Sequence, residues 1–241
     1  MTVIKNYLPL VCLSLSFVFA SCSSSEIGES KDVNQETIYQ DYRIDYTEGE
    51  NDDKVEVWAQ FRFAGDKGTT LVLTKPSGIS FDGTAIKVDS NDYSGAFYRI
   101  NLPAKNFFTK HRFAFTDISN KKMENDFSFD SFRLVNVPAT AAATQPLNIS
   151  FETTALQKDD YIELKAINTD SSFIVKHLAA DSGNSITIPV NELKRQKGKD
   201  LSLSASVYRK VSLQQQTKEG GKIIMIHSLK PVKIALSSNI P

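Results

Sequence analysis

The chain has 241 residues, with 28 Lys and Arg against 28 Asp and Glu, 41% hydrophobic residues and two Cys. That apolar fraction can bury a core, which excludes wholesale disorder, and the spread of charge excludes a polytopic membrane protein. A formal net charge of zero argues against a general nucleic-acid binder, which needs excess cations to displace the counterions on phosphate.

Lys5 precedes an apolar stretch from Tyr7 to Ala20, interrupted by Pro9 and serines. It is too short and too poorly flanked for a spanning helix, so residues 1–21 read as a signal peptide. Phe19-Ala20-Ser21-Cys22 resembles a bacterial lipobox, with Phe19 at the position usually held by Leu. The resemblance implies that Cys22 is lipidated and begins the mature protein. Several acyl chains would anchor it far more firmly than the single chain that gives only marginal binding. Ser23 directly after the cysteine points, by the same resemblance, to an outer-membrane lipoprotein, with periplasmic and surface faces both open. Cys12 leaves with the leader, so neither a disulfide nor a thiolate site is expected. Small polar residues then make 22–36 a flexible tether.

From Thr37 the pattern becomes period-two alternation, the mark of a strand with one buried face. Ile38, Tyr42, Ile44 and Tyr46 share one parity, and Asp41, Arg43 and Asp45 the other. In the next run Val55, Val57, Ala59, Phe61 and Phe63 oppose Glu56, Trp58, Gln60 and Arg62. Further strands are predicted at 71–73, 79–81, 85–88, 97–102, 112–115 and 127–134. Asp82-Gly83 suits a two-residue type I′ hairpin, which needs two positive φ angles. The apolar phase shifts between Phe127/Phe129 and Phe132/Leu134, which a bulge near Asp130-Ser131 would repair.

Residues 138–146, small and bracketed by Pro138 and Pro146, read as a linker between domains at 37–137 and 147–237. Acidic residues outnumber basic ones over 22–138, and the balance reverses over 139–241. Alternation resumes after the linker in seven short strands ending near Leu236. Only 191–197 looks helical. The expected fold is all-β, two tandem antiparallel β-sandwich domains, the second immunoglobulin-like or transthyretin-like.

The run Phe61-Arg62-Phe63-Ala64-Gly65-Asp66-Lys67-Gly68-Thr69-Thr70-Leu71, continuing to Phe81-Asp82-Gly83, resembles a segment of uncharacterised Gram-negative (Bacteroidota-type) cell-envelope lipoproteins. Ile188-Pro189-Val190-Asn191-Glu192-Leu193 with Leu201-Ser202-Leu203-Ser204 is similar to their second domain. The resemblance implies architecture and compartment and transfers no catalytic residue.

Chemistry-bearing motifs are sparse. His111, His177 and His227 lie in separate strands without metal-ligand spacing. There is no G-x-S-x-G elbow and no phosphate-binding loop, so the chain reads as a non-enzyme. Asp126 with Asp130, or Asp159 with Asp160, is the nearest approach to a glycosidase pair, and the adjacent pair would point to opposite strand faces. No cofactor is expected except Ca²⁺, for which the oxygen-rich loop carrying Asp89, Asn91 and Asp92 offers ligands. The single Trp of the chain, Trp58, projects from the polar face of its strand. With Arg62, and with Tyr39 and Tyr98 as extensions, it suits sugar stacking or a protein contact. Lys194, Arg195, Lys197 and Lys199 form a second candidate, for polyanions. The favoured function is a non-catalytic, lipid-anchored envelope component of adhesion or assembly acting through protein contacts. The alternative is a glycan-binding surface lipoprotein using Trp58, and an unrecognised hydrolase comes third. The partners so implied are the membrane, through the lipid, and an envelope protein or glycan, with no nucleic acid.

Overall fold

The computed structural model describes residues 26–167, 172–181, 183–196 and 200–237. The first half contains β1 (Ile27–Glu29), β2 (Ile38–Thr47), β3 (Lys54–Phe63), β4 (Thr70–Val72), β5 (Gly78–Phe81) and β6 (Thr84–Ala85). It continues with β7 (Lys87–Asn91), β8 (Gly95–Pro103), β9 (Lys110–Thr116), β10 (Lys122–Ser128) and β11 (Phe132–Val135). The second half adds β12 (Thr140–Ala142), β13 (Leu147–Thr153), β14 (Tyr161–Ile167), β15 (Ser172–Leu178) and β16 (Ser185–Ile188). A short helix α1 (Val190–Arg195), β17 (Asp200–Ser212), β18 (Gly221–Ser228) and β19 (Val232–Ser237) complete it.

The strands make three sheets. The longest runs β1-β4-β3-β2-β18-β17-β14-β15, with β8 and β7 joined at β3 and β19 and β12 joined at β17. A second sheet, β10-β9-β5-β6, covers one half of it, and a third, β11-β13-β16, covers the other. The molecule is thus all-β, two sandwiches that share their larger sheet. Inward residues alternate as the sequence dictates: Ile38, Tyr42, Ile44 and Tyr46 of β2 are all buried. In the first sandwich Tyr42 stacks on Phe113 at 4.4 Å and Phe61 lies 4.6 Å from Phe115, so rings from facing sheets interdigitate. In the second, Ile162, Leu164, Leu201 and Leu203 pack against Ile149, Phe151, Ile186 and Ile188.

What fuses the sandwiches is a parallel pairing of β18 with β2, in register from Gly221 opposite Gln40 to Ser228 opposite Thr47. Through it Ile223 and Met225, with Leu213, enter the first core although they belong to the last third of the chain. Parallel pairs also join β1 to β4 and β12 to β19, whereas the hairpin pairs are antiparallel.

Three expectations need correcting. The described part of the tether, 26–36, is built into the fold: β1 adds a parallel strand beside β4, and the buried Ser30 Oγ accepts from Thr74 N at 2.8 Å. The stretch 138–146 is not a free linker, because β12 completes the edge beyond β19 and buries Ala141. The phase shift at 130–131 is not a bulge. The chain there leaves the second sheet at Ser128 and enters the third at Phe132, so Phe127 and Phe129 fill one core and Phe132 the other. The Asp82-Gly83 turn does have both φ angles positive, 47° and 79°, between β5 and β6. Among the described residues no helix is long and apolar enough to cross a membrane.

Candidate functional site

Because the shared sheet is covered on one side only, its other face is left to solvent, and every strand offers alternate side chains to it. Register fixes which ones meet. Across β2 and β3, Asp41 lies opposite Gln60, Arg43 opposite Trp58 and Asp45 opposite Glu56. On the other flank β18 places Lys222 opposite Asp41 and Ile224 opposite Arg43. All of these side chains but Gln60 line a groove of about 410 Å³, with Ser94 of the β7–β8 hairpin at its rim.

The indole of Trp58 is half-buried and stacks at 6.3 Å, 26° between planes, on Phe97 of the neighbouring strand. The Arg99 guanidinium sits 5.6 Å from the Phe97 ring centre and caps that pair. Charged groups around the indole are matched. Arg43 grips Asp45 through two bonds, Nε to Oδ2 at 2.6 Å and Nη2 to Oδ1 at 2.9 Å. Lys222 Nζ lies 3.6 Å from Asp41, and Arg99 lies 3.7 Å from Glu56. Burial pushes the Asp41 carboxyl above the usual range, and the charges of Lys222 and Arg62 only partly oppose it. The Arg43 guanidinium is held charged by its bond to Asp45.

The rim is anchored from the same face. Gln60, almost wholly buried, donates Nε2 to Ser94 O at 2.6 Å and to Ala96 O at 3.0 Å. Gly95, with φ +68°, packs so close to Thr70 that a Cβ there would lie 2.2 Å from its Oγ1. Only glycine fits the left-handed turn and that approach together.

Of the sequence candidates, Trp58 lines the groove. Tyr39 and Arg62 face each other across β2 and β3 on the same side of the sheet, beyond the groove's end. Arg62 is committed there, donating to Gln60 Oε1 and Gly68 O. Tyr98 is a correction. It pairs with Ala59, faces the core, is 5% exposed, and its hydroxyl accepts from Leu73 N at 2.7 Å. Strand register, which decides this, is not visible in the parity of one strand.

The Asp89-Asn91-Asp92 loop is a turn whose polar groups serve the hairpin. Asn91 Oδ1 accepts from Tyr93 N and Ser94 N, and Asp89 pairs with Arg99 at 3.2 Å. Among the described residues no three His, Cys, Asp or Glu side chains come together to hold a metal ion. Lys194 and Arg195 lie on α1, with Arg195 reaching Glu192, while Cys22, Lys197 and Lys199 lie outside the described residues.

The three histidines are buried and apart, beside Asp82, Asp181 and Glu48 respectively. The carboxylates considered as an acid pair are tied elsewhere. Asp126 is held ionised by Arg112, Asp159 lies 3.2 Å from Lys210, and the buried Asp160 accepts from Arg209 at 3.1 Å. The sequence places Glu56 on the face of Trp58 but does not join Asp41, Arg43 and Asp45 to it, although their shared parity on the preceding strand is visible. Lys222 and Ile224 carried no local signal, since a pairing across some 180 residues placed them.

No family model matches the chain, and no curated protein does. Among solved structures, a two-domain fragment of DIP-gamma (IG1+IG2) is 11% identical, covering 83% of this chain and 94% of that one with a TM-score of 0.21. A mixed-linkage glucan utilisation locus protein of Bacteroides ovatus, SGBP-B, in complex with a mixed-linkage heptasaccharide, is 10% identical. That match covers 76% of this chain and 52% of the other, with a TM-score of 0.21.

Proposed function

We propose that this chain is a non-catalytic, lipid-anchored cell-envelope protein that binds a saccharide on the open face of its shared sheet. The observation that carries the reading is the groove over Trp58: one flat ring among carboxylates, a guanidinium, an ammonium and a hydroxyl. A sugar has an apolar C–H face that packs on an aromatic ring and an equatorial set of hydroxyls that donate and accept. The groove offers both halves of that complement. Its ions are neutralised in pairs on the sheet itself, so they serve as hydrogen-bonding groups rather than as a proton-transfer pair. The lipid anchor rests on the lipobox resemblance at Cys22.

Trp58 is the single tryptophan of the chain, so its fluorescence reports this groove alone. Titration with neutral polysaccharides is expected to give a saturable change in emission, and calorimetry is expected to show at least tenfold weaker binding in Trp58→Ala. Retained affinity in that variant, or no saturable response to any polysaccharide, contradicts the reading.

A second reading, adhesion or assembly through a protein partner, is favoured by the far end of the same face. Ile167 on β14 and Ile174 on the edge strand β15 are 43% and 54% exposed there as diagonal neighbours, with Leu178, 50% exposed, beyond the Glu163–Lys176 ion pair.

A further inference from the structure

The groove over Trp58 does not end at Glu56. A second groove of about 610 Å³ shares Asp45 and Glu56 with it and continues along the sheet past Thr47, Lys54 and Asn101. Each volume alone falls within the roughly 300–1,000 Å³ of a small-ligand site. Joined through common walls they form one trough. Its floor follows the outer residues of β2 from Asp41 to Thr47, six steps of about 3.3 Å, or about 20 Å.

The two strands of the trough floor are paired on both flanks: β2 lies between β18 and β3, and β3 between β2 and β8. Their backbone N–H and C=O groups are spent, so an extended peptide cannot be gripped there as an added strand. Only side chains face the ligand, and they alternate in sign along the floor. Asp41, Asp45, Asp53 and Glu56 stand against Lys222, Arg43 and Lys54, with Asp53 spent on Tyr46 and Gly49, which favours neither a polyanion nor a polycation. At the far end Lys54 has no ion-pair partner among the described residues, and Asn101 is exposed on the same face, opposite Glu56. Both are free to reach hydroxyl oxygens. The far rim is also fixed, because Tyr46 Oη donates to Asp53 Oδ2 at 2.6 Å and Gly49 N donates to Asp53 Oδ1 at 3.2 Å.

We infer that the trough takes an uncharged, unbranched oligosaccharide several units long, lying along β2 and β3, with Trp58 as its first subsite and Lys54 with Asn101 as its last. This rests on the saccharide reading above and specifies its length, charge and direction. The test is calorimetry of the full mature chain with β-linked gluco-, xylo- and manno-oligosaccharides of two and of six units, and with a polygalacturonate oligomer of six. The hexamer of one neutral series is expected to bind at least tenfold more tightly than its dimer. Lys54→Ala with Asn101→Ala should remove that gain, whereas Trp58→Ala should weaken dimer and hexamer alike. Equal affinity for dimer and hexamer, or a hexamer gain that survives the double variant, overturns the extended trough while leaving a single sugar site. Tighter binding of polygalacturonate than of every neutral hexamer overturns the uncharged ligand. If no oligomer binds, the saccharide reading itself falls.

Discussion

The two sandwiches share a sheet and are filled by different side chains. The first is packed with rings, Tyr42, Phe61, Phe81, Phe113 and Phe115 among them, and the second with aliphatic residues such as Ile149, Ile162, Leu164, Leu201 and Leu203. The difference lies in what each core can do besides exclude water. Tyrosine carries an apolar body with a polar tip, and the first sandwich uses that tip repeatedly. Tyr42 donates to Gln40, Tyr46 to Asp53, and Tyr98 accepts from Leu73 N. Two of these bonds tie loops and short strands around the open face that carries the groove. The aliphatic sandwich has no such tips in its centre and acts as a scaffold, lending β18 and its Lys222 to the neighbour's site.

One polar exception in the second half marks where the comparison breaks most severely. Arg209, mostly buried, donates to Asp160 and to Thr153 Oγ1, Thr154 O and Thr154 Oγ1, and so pins the β13–β14 connection under β17. Arg209→Ala leaves the buried Asp160 carboxylate without its counter-charge, held only by Gln157 N and Lys210 N, and urea unfolding should show a loss of about 3 kcal/mol. The ring-filled core should respond nearly as strongly to a single truncation. Phe113→Ala removes the partner of both Tyr42 and Phe81 and should cost about 3–5 kcal/mol, while Ile162→Val in the other core should cost only about 0.5–1.5 kcal/mol. Equal costs for the two would contradict that ordering.

A smaller effect sits at the junction. His227 is buried against Tyr46 of one core and Phe132 of the other, with Nε2 3.3 Å from Glu48. Burial, only partly opposed by Glu48, holds its pKa below the ordinary 6.5, so the folded protein keeps the ring neutral. The unfolded chain takes up a proton first as pH falls. Stability contributed by the neutral ring is therefore complete above about pH 6.5 and is lost as acid is added, down through the folded-state pKa. Thermal unfolding between about pH 7 and pH 5 should fall less steeply in His227→Phe than in the wild type. An unchanged slope would remove His227 from the account.

Much of this architecture is legible in one sequence because period-two burial is local: β2, β3 and the Asp82-Gly83 hairpin follow from neighbouring residues alone. The tether, the linker and the shift at 130–131 depart from expectation for a common reason. Each is settled by a partner strand that does not adjoin it in the chain, β4 for β1, β19 for β12 and β13 for β11, and such pairing leaves no mark on nearby residues. The site divides in the same way. Trp58 and the Asp41-Arg43-Asp45 parity could be read from their own strands, whereas the face of Tyr98 and the arrival of Lys222 depend on register between strands.

Native electrophoresis through gels containing a neutral polysaccharide to which the wild type responds by fluorescence puts the groove to its most direct test. The wild-type protein is expected to be retarded in the loaded gel and Trp58→Ala to migrate as it does in the plain gel. Equal retardation of the two proteins would contradict that expectation.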